Sequence, residues 1–306
     1  MNRLAIAAAA GTGVQVGAAM VATRFVVDQT DPASLAMLRY IVGFLCLVPA
    51  LLAAGQPMRF ERRDVAPIAL LGILQFGILI ALLNFGLKFV PSGRAALLFA
   101  TFPLMTMLLA AALGHERLTL AKSAGVVLTI VGVGLAHGEK VLARGGDEAW
   151  LGEAAVLASA FCGAVCAVVF RPYLRRYPTL PVSAAAMLAA VAFLALLASG
   201  EGLFSAVPRL GAGGWAAVLF IGISSGIFYF VWLWALTHAP ATEVTVFLAL
   251  SPVTASLLGA LLLGEALTPL MAAGAGRRRR TQRGAARMTI ARAAPDLRRY
   301  ARAMKP

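Results

Sequence analysis

Arg39, Arg94 and Glu243 each fall in or beside a long apolar stretch, where a charge is costly and marks function by default. As a cation in such a place, Arg39 can bind an anion or act as a gate; the other reading is snorkelling to an interface or pairing with Asp31. Arg94 and Glu243 occupy equivalent places in two similar stretches and carry opposite charges. They read as contacts at the two mouths of a pathway, or as ordinary interface charges. Gln15, Asn84, Ser224, Ser225, Tyr229 and Trp232 offer hydrogen bonds and aromatic surface to a polar cavity, with helix-to-helix bonding and an interface belt as the alternative. Pro103 and Pro252 lie mid-stretch and withhold the N–H that Phe99 and Leu248 would accept. Each kinks its helix, freeing a carbonyl toward a cavity or only adjusting packing; the matched pair favours the pathway.

Chemistry of other kinds finds little support. Paired intramembrane acids, a Ser-His-Asp set and phosphate-cradling glycine loops are absent from the sequence, which therefore does not read as an enzyme. Most acids, including Asp28, Asp31, Glu61, Asp64 and Glu201, fall in expected loops. Cys162 and Cys166 share a helical face, but His115, His137 and His238 do not join them, so packing outweighs a metal site. No cofactor is called for. The partners implied are a small-molecule substrate and the lipid bilayer, with a homodimer allowed and no nucleic acid.

These residues must be held by a membrane scaffold. Apolar residues make up 60% of the 306 and charged ones 13%, against ~25% charged in a soluble domain; the mean hydropathy is +0.85. Runs long enough to cross a bilayer as helices predict nine spans: 4–23, 34–54, 65–87, 95–113, 120–136, 151–170, 182–199, 215–237 and 242–263. A signal peptide is the alternative for the first run, but the repeat described next needs a helix there. Asp31-Pro32 and Thr268-Pro269 place a capping side chain before a proline at the first helical position. Gly13-x-x-x-Gly17 and Gly222-x-x-x-Gly226 predict close helix approach.

The chain is written twice. With an offset of 149 residues, Pro91, Pro103, Glu116, Leu118 and Thr119 fall on Pro240, Pro252, Glu265, Leu267 and Thr268 without an insertion. Pro32, Ser34, Gly77 and Gly125 fall likewise on Pro181, Ser183, Gly226 and Gly274. Five spans per copy is an odd number, so the second copy enters the bilayer inverted relative to the first, the arrangement by which transporters build one central site from two halves. With the amino terminus cytoplasmic, nine basic residues of the body face the cytoplasm and six the other side, a modest positive-inside bias. Glu116 and Glu265, at the junctions between spans, read as structural caps on the helix that follows each.

Leu38-Arg39-Tyr40, Pro91-Ser-Gly-Arg-Ala-Ala96, Leu113-Gly-His-Glu-Arg-Leu-Thr119 and Leu263-Gly-Glu-Ala-Leu-Thr268 resemble the EamA-type drug/metabolite transporters. The likeness runs over residues 1–276. It implies an all-α polytopic membrane protein of two inverted five-helix repeats in a bacterial inner membrane, here with nine spans plus a truncated tenth. It also implies export of small metabolites or drug-like molecules by alternating access. Val16-Gly-Ala-Ala-Met20 departs from the Trp-Gly-Ser-Asn-like run common in that family's first helix.

The division expected is a first repeat at 1–136, a linker at 137–150, a second repeat at 151–276 and a basic tail at 277–306. The tail holds ten arginines and one lysine against Asp296, a net +10 of the chain's +14. Arg277 to Arg280 stand where the first copy has Leu128-Thr-Ile-Val131, and each arginine mid-helix costs about 2.5–3.5 kcal/mol to insert. The tenth helix therefore cannot span as written. The tail reads as out-of-frame sequence, ahead of a lipid-binding arm, with nucleic-acid binding a distant third. Loss of that helix leaves a second functional reading, a non-transporting remnant or membrane scaffold.

Overall fold

The computed structural model describes residues 3–56, 58–115, 124, 149–205, 208 and 210–265. Nearly all of the expected fifth span, residues 137–148 of the linker, Glu116 and everything from the expected tenth helix onward lie outside the described residues. Those described are helical, with no strand among them. Eight of the nine expected spans are helices long and apolar enough to cross a membrane: α1 (Arg3–Gln29), α2 (Pro32–Ala54), α3 (Arg62–Phe89), α4 (Ser92–Ala112), α5 (Ala149–Arg176), α6 (Thr179–Gly200), α7 (Ala212–His238) and α8 (Ala241–Leu263). Their outer faces carry large apolar side chains such as Leu52, Leu196, Leu261 and Leu262. That surface fits lipid and not water, so the protein is an integral membrane protein.

Helix directions follow from the close contacts. The amino end of α2 meets the carboxyl end of α6, where Glu201 accepts from Ala33 N (3.0 Å), Ser34 N (2.7 Å) and Ser34 Oγ (2.7 Å). The amino end of α4 meets the segment leaving α8, where Glu265 accepts from Ser92 N (3.0 Å) and Ser92 Oγ (2.6 Å). Along its length α1 packs on α7 and α8, α2 on α6 and α7, α3 on α5 and α6, and α4 on α5 and α8. Gly13 lies against Phe247 and Gly17 against Ser251, so α1 runs parallel to α8; Gly11 lies against Phe228 while Phe25 lies near Gly213, so α1 runs antiparallel to α7.

These contacts revise one expectation and add a cap to another. Asp31 does begin α2 with Pro32 at its first position, but the Asp31 side chain makes no capping bond. It pairs instead with Lys88 at 3.6 Å, and the cap is supplied by Glu201 from another helix. Glu265 caps the start of α4, 173 residues earlier; the helix expected to follow it lies outside the described residues. In both places the unsatisfied N–H groups of one half of the chain are met by a carboxylate of the other.

Three spans are irregular where they cross the centre. In α3 a π-helical turn covers Ile73–Ile78, a local widening that re-aims side chains. In α4 the helix ends at Phe99 and restarts at Phe102, with Pro103 at its first positions. In α8 the stretch Val246–Leu250 is 3₁₀, and a regular helix resumes at Ser251-Pro252. Pro103 and Pro252 thus begin new helical segments, because neither can donate to the carbonyl four residues back. Thr101 Oγ1 bonds Leu98 O (2.8 Å) and Ser251 Oγ bonds Leu248 O (2.7 Å), so hydroxyls satisfy part of the interrupted ladder.

Candidate functional site

Small residues bring the helices together around a central space. Gly43 of α2 lies against Gly222 and Gly226 of α7, where an added Cβ on Gly226 would sit 2.5 Å from Gly43 O. This contact sets α2 close enough for Arg39 Nε to donate to Ser225 Oγ at 2.7 Å, and Ser225 Oγ donates in turn to Ile221 O. The Arg39 guanidinium carbon also stands 5.5 Å from the centroid of the Tyr40 ring. Across α7, Gln15 Nε2 donates to Ser224 Oγ at 3.1 Å. Side chains from both halves of the chain therefore converge here.

The space is a cavity of about 100 Å³. Its lining comes from α1, α2, α3, α4, α7 and α8. Aromatic rings dominate the walls: Tyr40 meets Phe76 at 4.8 Å, Phe76 meets Tyr229 at 4.2 Å, and Phe102 meets Phe99 at 5.5 Å and Trp232 at 6.2 Å. Among the described residues Arg39 is the only charged one lining it, with no Asp or Glu. Arg39 is 7% exposed, and among the described residues no carboxylate lies within ion-pairing distance of it. The Tyr229 hydroxyl is buried with no hydrogen-bond partner among the described residues.

Of the residues singled out in the sequence, Gln15, Arg39, Ser225, Tyr229 and Trp232 line this cavity. The others are placed elsewhere. Ser224 stands behind the wall as the acceptor for Gln15. Asn84 Nδ2 donates to Pro32 O at 2.9 Å, tying α3 to the start of α2. Arg94 pairs with the buried Glu153 of α5 at 2.8 Å. Glu243 is exposed at the opposite end of the bundle, at the start of α8, so it and Arg94 do not meet. Asp31 is not the partner of Arg39, since it pairs with Lys88.

Sequence reasoning missed Thr12, Thr23, Gln75, Phe76, Phe99, Phe102 and Phe228 in the lining. Gln75 was the most findable, as a polar side chain within an apolar run; the π turn that turns it inward has no sequence signature. Away from the cavity, Asp64 at the start of α3 accepts from Arg176 (2.7 Å) and from the Tyr177 hydroxyl (2.6 Å), joining two connections at the end where α1 begins. Cys166 Sγ lies 3.6 Å from Leu71 O, a packing position.

The EamA-like transporter family model matches the chain twice, over residues 3–137 and again over 150–276. The chain belongs to the EamA-like transporter family. A probable terminal-alkyne amino-acid exporter of Streptantibioticus cattleyicolor is 32% identical over 268 residues, 86% of each chain. An uncharacterized transporter of Archaeoglobus fulgidus is 26% identical over 263 residues, covering 85% of this chain and 90% of its own. A crystal structure sharing 24% identity superposes with a TM-score of 0.69 over 90% of this chain and 95% of the other, a likeness of fold. As a member of this family the chain is a membrane transport protein, and its relatives point to transport and away from catalysis.

Proposed function

We propose that this EamA-family protein exports small organic metabolites across a bacterial inner membrane by alternating access. The central cavity is the site exposed to each side in turn. The observation that carries the reading is one cavity, walled by both halves of the chain, that holds a buried cation without a described counter-ion.

Inverted repeats are the framework proposed for that motion, and the packing supports them. Under the repeat offset α1 corresponds to α5, α2 to α6, α3 to α7 and α4 to α8. Each cross-half contact then has its mate: α1–α7 matches α5–α3, α2–α7 matches α6–α3, and α1–α8 matches α5–α4. The two contacts between mates themselves, α2–α6 and α4–α8, join an amino end to a carboxyl end, as an inverted pair requires. The amino-acid export named for the relative from Streptantibioticus cattleyicolor supports outward movement of small carboxylate-bearing compounds.

Proteoliposomes containing the purified chain, loaded with a panel of labelled amino acids and related small carboxylates, should release at least one compound faster than protein-free liposomes do. Release indistinguishable from those controls across the panel would refute transport through this cavity.

A further inference from the structure

We propose, resting on the transport reading above, that the cargo is a monoanion: one carboxylate bound by Arg39, joined to a ring-sized apolar body and lacking an ammonium group. The charge inventory of the cavity is the first argument. Among the described residues its lining holds one fixed cation and no Asp or Glu. A monoanionic ligand neutralises that charge, whereas a zwitterion adds an ammonium that no lining carboxylate meets, and an amine adds a second cation beside the first. In a space walled by apolar side chains, an uncompensated charge is expensive.

Guanidinium geometry is the second argument. Ser225 Oγ occupies the Nε edge of Arg39 at 2.7 Å, and the terminal amino groups make no hydrogen bond among the described residues. Those two groups present parallel N–H donors end-on, the fork that matches a carboxylate. The wall supplies the third. Phe76, Phe99, Phe102, Phe228 and Trp232 line the cavity and suit an apolar body, since aromatic rings prefer edge and offset contacts of the kind these rings already make with each other. Tyr229 adds a buried hydroxyl with no partner among the described residues, available to a second oxygen of the ligand.

A matched set tests this: 3-phenylpropanoate, L-phenylalanine and 2-phenylethylamine share one body and differ only in charged groups. Equilibrium binding to the purified full chain is measured by displacement of radiolabelled 3-phenylpropanoate. The carboxylate should bind most tightly, L-phenylalanine at least about ten-fold more weakly, and the amine should not compete. Arg39→Gln should weaken 3-phenylpropanoate by about ten- to a hundred-fold, as expected for a lost charged hydrogen bond, and remove the preference among the three. Arg39→Lys should keep the order at reduced affinity. Tyr229→Phe, which conserves shape, should weaken binding a few-fold and leave the order intact. The proposal is overturned if L-phenylalanine binds as well as the carboxylate or if none of the set binds. It is also overturned if Arg39→Gln, with wild-type helix content by circular dichroism, binds 3-phenylpropanoate unchanged. Binding in this order without release from proteoliposomes would instead refute transport and leave the ligand class standing.

Discussion

Replacing Glu265 by alanine tests the cross-half capping. The carboxylate accepts from Ser92 N at 3.0 Å and from Ser92 Oγ at 2.6 Å, and Ser92 is fully buried. An N-terminal cap of a helix is worth about 0.5–2 kcal/mol, and a hydrogen bond to a charged group about 1.5–3. The two bonds share one carboxylate, so their sum overstates the loss, and Glu265→Ala should cost about 2–4 kcal/mol. Ser92→Ala keeps the backbone bond and loses only the hydroxyl, and should cost about 1–2 kcal/mol. The double variant should fall short of additivity by about 1 kcal/mol, the coupling expected of groups in contact. Reversible unfolding of the detergent-solubilised chain in sodium dodecyl sulfate, followed by far-ultraviolet circular dichroism, gives all four free energies. Additive costs would refute the contact, and a neutral Glu265→Ala would refute the claim that the α8 end holds α4.

Gly226→Ala places a Cβ 2.5 Å from the Gly43 carbonyl oxygen, a backbone atom that cannot swing aside; the same unfolding assay should show about 1–3 kcal/mol of destabilisation, and no loss would mean α2 and α7 are not in contact. In a background with Cys46, Cys162 and Cys166 replaced by alanine, Gln56→Cys should react with an impermeant maleimide only from the cytoplasm and Ser205→Cys only from outside; labelling of both from one side would refute the helix directions. The coding DNA after Gly276, where the second family match ends, should read in another frame as about ten apolar residues that complete a helix of ~20; stop codons or charges there would make the basic tail genuine.

Sequence alone determined the membrane class, the duplication and the positions of eight described spans, because each is a one-dimensional property. Crossing a bilayer needs a run of apolar residues of sufficient length, and an internal repeat needs only matching letters at a constant offset. Pro103 and Pro252 were legible for the same reason, since a missing N–H interrupts any helix. Arg39 was legible as a costly charge in an apolar run. What each charge and hydroxyl faces was settled only by tertiary structure. Arg39 and Asn84 look equally intramembrane in sequence, yet Arg39 lines the cavity while Asn84 Nδ2 donates to Pro32 O. Arg94 was matched to Glu243 by the repeat, but its partner is Glu153, brought near by packing of α4 on α5. No letter near Glu265 shows that it caps a helix starting 173 residues earlier. Partners across helices depend on packing angle and rotation, and those are set jointly by glycines such as Gly43 and Gly226 on different spans. No stretch of the chain read by itself contains that information.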